Sequence, residues 1–180
     1  MYNVRKVTDD LYWVGANDHR THLFENIHPI PKGVSYNAYL LLDKETVLFD
    51  TVDWSVSRQM MENLEYLLGE RSLDWLVINH LEPDHAASID LILARWPKVK
   101  IISTEKGFML MRQFGFHPDD HEIRIVVEGD THCFGGHTVT FVAAPMVHWP
   151  EVIVTYDSTD KVLFSADGFG KFGALDAEEP

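Results

Sequence analysis

The 180-residue sequence predicts a layered α/β fold built on a mixed sheet. Three observations carry that expectation. Short apolar runs alternate with stretches of helical period through "EKGFMLMRQFGF". From Ile123 onward strands dominate, as "IRIVVE", "HTVTFVAAP", "EVIVTYD" and "KVLFSAD". Hydrophobic residues make up 46% of the chain, which excludes disorder and suffices for a core.

The elements follow in order. "NVRKV" and "LYWVG" open as short strands, and a loop rich in His and Pro covers residues 17–33. "SYNAYLLLD" and "TVLFDT" are two strands whose link, Asp43-Lys44-Glu45, has tight-turn composition. Over residues 56–68, Val56, Met60, Leu64, Leu67 and Leu68 recur at helical spacing, and Gly69 is a fitting stop. "DWLVIN" is a short apolar run and predicts a buried strand. Residues 86–96 predict a helix ended by Pro97. "KVKIIST" predicts a strand and "EKGFMLMRQFGF" a helix. Gly135-Gly136 is a hairpin turn between "THCF" and "HTVTF". The sequence contains no internal repeat or low-complexity tract.

Composition narrows the function. The formal net charge is −13, which disfavours nucleic acid, because phosphate binding needs clustered Lys and Arg. No apolar run reaches the ~18 residues that span a membrane. The start, "MYNVRKVTDDLYW", lacks the apolar segment of a secretory signal, so a cytoplasmic setting is expected. Cys133 is the single cysteine, which leaves no internal disulfide and no thiolate metal cage. It is expected as a small buried side chain.

The chemistry concentrates in "INHLEPDHAAS", where His80, Glu82, Asp84 and His85 lie within six residues. They follow the predicted strand "DWLVIN". His148 follows "TVTFVAAP", and Asp167 follows "KVLFS". Layered α/β folds place ligand sites at strand ends, so three such clusters suggest one site. Imidazole and carboxylate together suit divalent ions. His80 and Glu82, alternate residues of an extended loop, can share one ion while Asp84 reaches a neighbour. Glu82 makes the site harder and more anionic, which shifts the expectation from zinc toward iron or manganese. Blander roles exist for each residue alone. Asp84 suits a helix N-cap, His85 a partly exposed surface position, His148 beside Trp149 a core or surface position, and Asp167-Gly168 a turn.

"HLEPDH" resembles the metal loop of the metallo-β-lactamase superfamily, commonly His-x-His-x-Asp-His, with Glu82 in place of the second histidine. With "GVSYNAYLLLD", "VLFDTVD", "MVHWPEVIVTYD" and "VLFSADGFGKFGAL", the chain resembles the flavodiiron proteins, or A-type flavoproteins. The resemblance covers about residues 4–175. It implies a metallo-β-lactamase-like αββα sandwich. It also implies that residues 1–180 are a truncated diiron domain, without a flavodoxin-like domain and one further histidine ligand that follow in the family. His80, Glu82, Asp84, His148 and Asp167 match the metal ligands. Glu82 and Asp167 stand at the reacting centre, Asp167 as the carboxylate bridging two irons. His85 and Trp149 are implied to support the site from behind the ligands.

The activity implied is oxidoreductase: dioxygen to water, nitric oxide to nitrous oxide, or both. FMN of the parent protein would supply electrons, held by the partner subunit of a head-to-tail dimer or tetramer. Rubredoxin, a deazaflavin or a reductase would feed it. Two alternatives stand beside this one. A zinc hydrolase of the superfamily would have an imidazole at position 82. A non-catalytic metal-binding fragment would bind metal weakly and turn nothing over.

Overall fold

Side-chain alternation in the middle strands decides the layers. In the run 46–49, Val47 and Phe49 turn to one face and Leu48 to the other, and all three are buried. The same split separates Trp75 and Val77 from Leu76, and Ile102 from Ile101. A sheet apolar on both faces needs a layer against each one.

The computed structural model describes residues 2–175. The first half contains β1 (Arg5–Lys6), β2 (Leu11–Trp13), β3 (Ala16–Asp18), β4 (Leu23–Phe24), β5 (His28–Pro29), β6 (Val34–Tyr36), β7 (Tyr39–Leu42) and β8 (Thr46–Phe49). Helix α1 (Ser57–Leu68), β9 (Trp75–Val77), α2 (Pro83–Ala86), α3 (Ile89–Arg95), β10 (Lys100–Ser103) and α4 (Glu105–Gln113) follow. The remainder is β11 (Ile123–Ile125), β12 (Thr131–Cys133), β13 (Thr138–Ala143), β14 (Ile153–Asp157) and β15 (Val162–Phe164).

Seven strands form one sheet in the order β1-β2-β7-β8-β9-β10-β11. Its first half is antiparallel, and from β8 to β11 it is parallel. Strands β12 to β15 form a second, antiparallel sheet in sequence order. The apolar residues of α1, α3 and α4 (Met60, Leu64, Ile89, Ile92, Phe108, Met111) pack with Leu48, Leu76 and Ile101 on one face of the large sheet. On its other face, Val47, Phe49, Val77 and Ile102 meet Phe134, Val139, Phe141, Ile153 and Phe164 of the second sheet. Phe49 stacks on Phe164 with ring centroids 3.9 Å apart. The order is therefore helix, sheet, sheet: the first three layers of the expected αββα sandwich. Among the described residues no helical residue joins the second core, and Leu163 and Phe169 beyond it are exposed.

Polar links tie the sheets together at one end. Asp43, in the turn between β7 and β8, accepts hydrogen bonds from the backbone N–H groups of Gly136 (3.0 Å) and His137 (2.8 Å). The buried His137 ring lies between Asp157 (2.7 Å) and Asp10 (3.0 Å). Burial opposes its charge, but these two carboxylates outweigh it and raise the pKa.

Several expectations needed correction. The loop over 17–33 contains the end of β3 and the β4–β5 hairpin. Strands of two residues have no measurable period. "SYNAYLLLD" is two strands, because Asn37 breaks it; its Oδ1 accepts from the Trp13 indole at 2.9 Å, and β6 pairs with β3 rather than with the large sheet. The helix expected over 86–96 begins at Pro83 and breaks at Ala87-Ser88. The His85 carbonyl, which would continue it, is taken by Thr51 through its N–H (2.8 Å) and hydroxyl (2.7 Å). Cys133 is exposed on its strand, not buried. The acidic stretch over residues 176–180 lies outside the described residues.

The inter-sheet core is the most sensitive place to cut. Phe49→Ala is expected to cost about 3–5 kcal/mol, because it opens a cavity between two packed layers. Leu163→Ala, on a side chain 44% exposed, is expected to stay within about 0.5 kcal/mol. Denaturant titration of both variants checks this; equal midpoints would contradict the layer assignment.

Candidate metal centre

Three strand ends deliver the site. β9 runs out into Asn79, His80, Leu81 and Glu82, and Pro83 starts α2. Proline suits a first helical position, because the missing N–H would be unpaired there anyway. Glu82 occupies the cap position but makes no capping bond. Its carboxylate turns instead toward His148 Nε2 (2.8 Å) and His80 Nε2 (3.2 Å). Asp84 lies inside the short helix rather than at its cap. His148 comes from the connection between β13 and β14, and Asp167 from the turn after β15. Both segments hold non-glycine residues at positive φ, Met146 (65°) and Ala166 (47°). Such strain is characteristic of positions that a surrounding site over-determines.

The side chains form two groups around one carboxylate. His80, Glu82, His148 and Asp167 make the first, each offering one atom within 4.8 Å of the others. Asp84, His85 and Asp167 make the second by the same measure. Asp167 Oδ2 lies 3.4 Å from His80 Nε2 and 3.2 Å from His148 Nε2, while its Oδ1 lies 2.8 Å from His85 Nε2. All five residues expected as ligands therefore meet. His85, expected behind them, presents Nε2 to Asp167 and, at 3.7 Å, to Asp84. Trp149 stands edge-on to His80, with ring centroids 5.3 Å apart and an interplanar angle of 88°.

The electrostatics follow from crowding. Burial works against a charged His80, but hydrogen bonds to Asp167, Glu151 and Glu82 raise its pKa to about 11. Burial likewise opposes charge on His85; Asp167, Asp84 and Asp50 raise it to about 9. Burial pushes Asp84 up to about 6, His85 pulls it down, and Asp167 and Glu82 push it further up. His80 holds Glu82 low, and burial of Asp167 is overcome by His80 and His85, which hold it well below the carboxylate range.

A divalent cation fits this donor set. Asp84 Oδ1 is buried with no hydrogen-bond partner, and an orphaned buried carboxylate oxygen is costly unless something positive faces it. Mixed imidazole and carboxylate donors match first-row divalent metals. The two groups open onto a cavity of about 450 Å³ whose far wall includes Phe24, His28, Val34, Tyr36 and Phe172. The Tyr36 phenol is pushed up to about 12 by burial and by the charges of Asp53, Asp18 and Asp84, so it keeps its proton near neutrality.

Sequence reasoning missed His28, Tyr36 and Glu151. His28 lies in the β4–β5 hairpin, where no motif marks it; Tyr36 ends β6 inside "GVSYNAYLLLD", a stretch that carries the family resemblance but no ligand spacing. Glu151 had a signal: it stands three residues after His148 in "HWPE".

In the metal-free protein, raised folded pKa values mean that His80 and His85 contribute stability fully below pH ~6.5, lost as pH climbs through about 9 and about 11. The melting-temperature difference between the metal-free protein and its His85→Gln variant should therefore shrink between pH 7 and pH 10. A difference independent of pH would contradict the charge assignment.

Comparisons with known proteins show the family and the fold. The family described as ODP family beta lactamase matches residues 34–179. An anaerobic nitric oxide reductase flavorubredoxin of Vibrio vulnificus is 37% identical over 167 residues, which is 92% of this chain and 34% of that protein. One from Pectobacterium carotovorum is also 37% identical over 167 residues, 92% of this chain and 33% of its own length. This chain thus spans about a third of the curated relatives it matches. Among solved structures, the flavodiiron protein from Giardia intestinalis superposes with a TM-score of 0.91 at 27% identity, covering 98% of this chain and 42% of that one. Rubredoxin oxygen:oxidoreductase from Desulfovibrio gigas gives 0.90 at 32% identity, covering 97% and 43%. The chain belongs to the ODP family of β-lactamase-like proteins and corresponds to the metallo-β-lactamase-like domain of the flavodiiron proteins.

Proposed function

We propose that residues 1–180 are the diiron domain of a flavodiiron oxidoreductase that reduces nitric oxide, dioxygen or both. The observation that carries this reading is the sharing of Asp167 between two ligand groups, one oxygen to each. His80, Glu82, His148 and Asp167 would hold one iron. Asp84, Asp167 and the available His85 would hold part of the other coordination. A bound iron pair would supply electrons to a small oxygen- or nitrogen-centred substrate. The similar proteins named above, a nitric oxide reductase and an oxygen oxidoreductase, support the substrate class.

The chain's own residues have definable tasks. Glu82 and Asp167 bring negative charge that holds divalent metal. Phe24, Val34 and Phe172 give the cavity an apolar side suited to a small uncharged molecule. Trp149 packs against His80 and restrains its ring. Glu82 also counts against the zinc-hydrolase alternative, which expects imidazole there. By the family resemblance, electrons would arrive from FMN on another domain, in a dimer or tetramer, fed by rubredoxin or a reductase. A cytoplasmic setting suits that chemistry, and no described helix is long and apolar enough to cross a membrane.

Anaerobic ferrous loading of the intact protein tests the reading. Two irons per chain are expected in the wild type and in the Lys98→Ala surface variant. Glu82→Ala and Asp167→Ala should lose the diiron centre and with it nitric oxide and oxygen consumption. Equal iron content in all four proteins, or two zincs with hydrolytic activity and no gas consumption, would overturn it.

A further inference from the structure

Glu151 is a buried acid for which the metal reading assigns no task. Its side chain is 1% exposed. It sits on the segment that runs from His148 into β14, yet its carboxylate reaches across to the loop after β9. There Oε1 lies 2.8 Å from His80 Nδ1 and accepts the Leu81 backbone N–H at 3.0 Å. Its Oε2 is buried with no hydrogen-bond partner. The segment is braced on both sides. Ala144 N–H bonds the Val152 carbonyl at 2.9 Å, and the Glu151 carbonyl accepts from the Thr104 hydroxyl at 3.3 Å.

A neutral acceptor would satisfy the Leu81 N–H equally well. What the carboxylate adds is an acceptor for the His80 ring, which meets Oε1 through Nδ1 at 2.8 Å and whose other nitrogen, Nε2, belongs to the first ligand group. An imidazole that donates from one nitrogen to a carboxylate presents a fixed, more basic lone pair on the other.

We propose that Glu151 is the positioning residue for His80: it fixes the Nδ1–H tautomer and strengthens Nε2 as a donor to the first metal. The inference rests on the metal reading above. It adds that the loop carrying His148 also sets the chemistry of His80, so the two imidazoles of the first group are built by one connection.

Cobalt(II) titration of the intact protein, followed by ligand-field absorption, separates the two sites. Glu151→Gln keeps an acceptor of the same shape and removes the charge. It should weaken ion binding at the group of His80, Glu82, His148 and Asp167 by about 10–100-fold. Binding at the group of Asp84, His85 and Asp167 should be little changed. Equal loss at both sites, or no loss at either, would overturn the assignment, since a merely structural role predicts a general effect. A wild type that takes up no ion at all would instead refute the metal reading itself. Should the variant not fold, ¹⁵N NMR of the zinc-loaded wild type decides. A His80 proton on Nδ1 is expected, and a ring bound to metal through Nδ1 would overturn the proposal.

Discussion

Everything at the site turns on where the Asp167 carboxylate is held. Its two oxygens face two sets of donors, and each set is incomplete without it. Two like charges 4 Å apart repel by about 4 kcal/mol at an effective dielectric of ~20, so Glu82, Asp84 and Asp167 cannot share this space unaided. Without metal, the imidazoles respond by holding protons, which is why His80 and His85 are raised. A pair of divalent ions would resolve the same conflict, with four positive charges against three carboxylates, and would have to displace those protons to bind.

The scaffold makes that crowding possible by anchoring the loops from behind. Asn79 joins three strands. Its backbone N–H and side-chain amide donate to Asp50 at 2.7 and 2.9 Å, its carbonyl accepts from Ile153 at 3.0 Å, and its Oδ1 accepts from the Thr155 hydroxyl at 2.6 Å. The end of β9 is thus fixed to β8 in its own sheet and to β14 in the other. Thr51 holds the His85 carbonyl from the same side. The candidate ligand positions inherit the rigidity of two packed sheets, while the cavity side stays open, with His148 and Asp167 exposed toward it.

Much of the fold was legible as period and punctuation. The helix ending at Gly69, the buried run 75–77 and the strands after Ile123 follow from side-chain spacing that survives folding unchanged. The places that failed have two causes. The break at Ala87-Ser88 and the split at Asn37 depend on partners distant in the chain, Thr51 and Trp13, which no local window contains. The β4–β5 hairpin pairs locally, Leu23 with Pro29 and Phe24 with His28, but its two-residue strands are too short to show a period.

The sequence by itself determined which residue types stand at which strand ends. That was enough to nominate His80, Glu82, Asp84, His148 and Asp167, because ligand chemistry and strand-end placement are both local properties. Only the tertiary structure decided how they divide into two groups, that His85 turns its Nε2 toward the second, and that Glu151 stands behind His80. Those facts are distances between segments up to 87 residues apart, from His80 to Asp167. Nothing in a linear pattern fixes such distances until two sheets have packed and brought the loop ends to one edge.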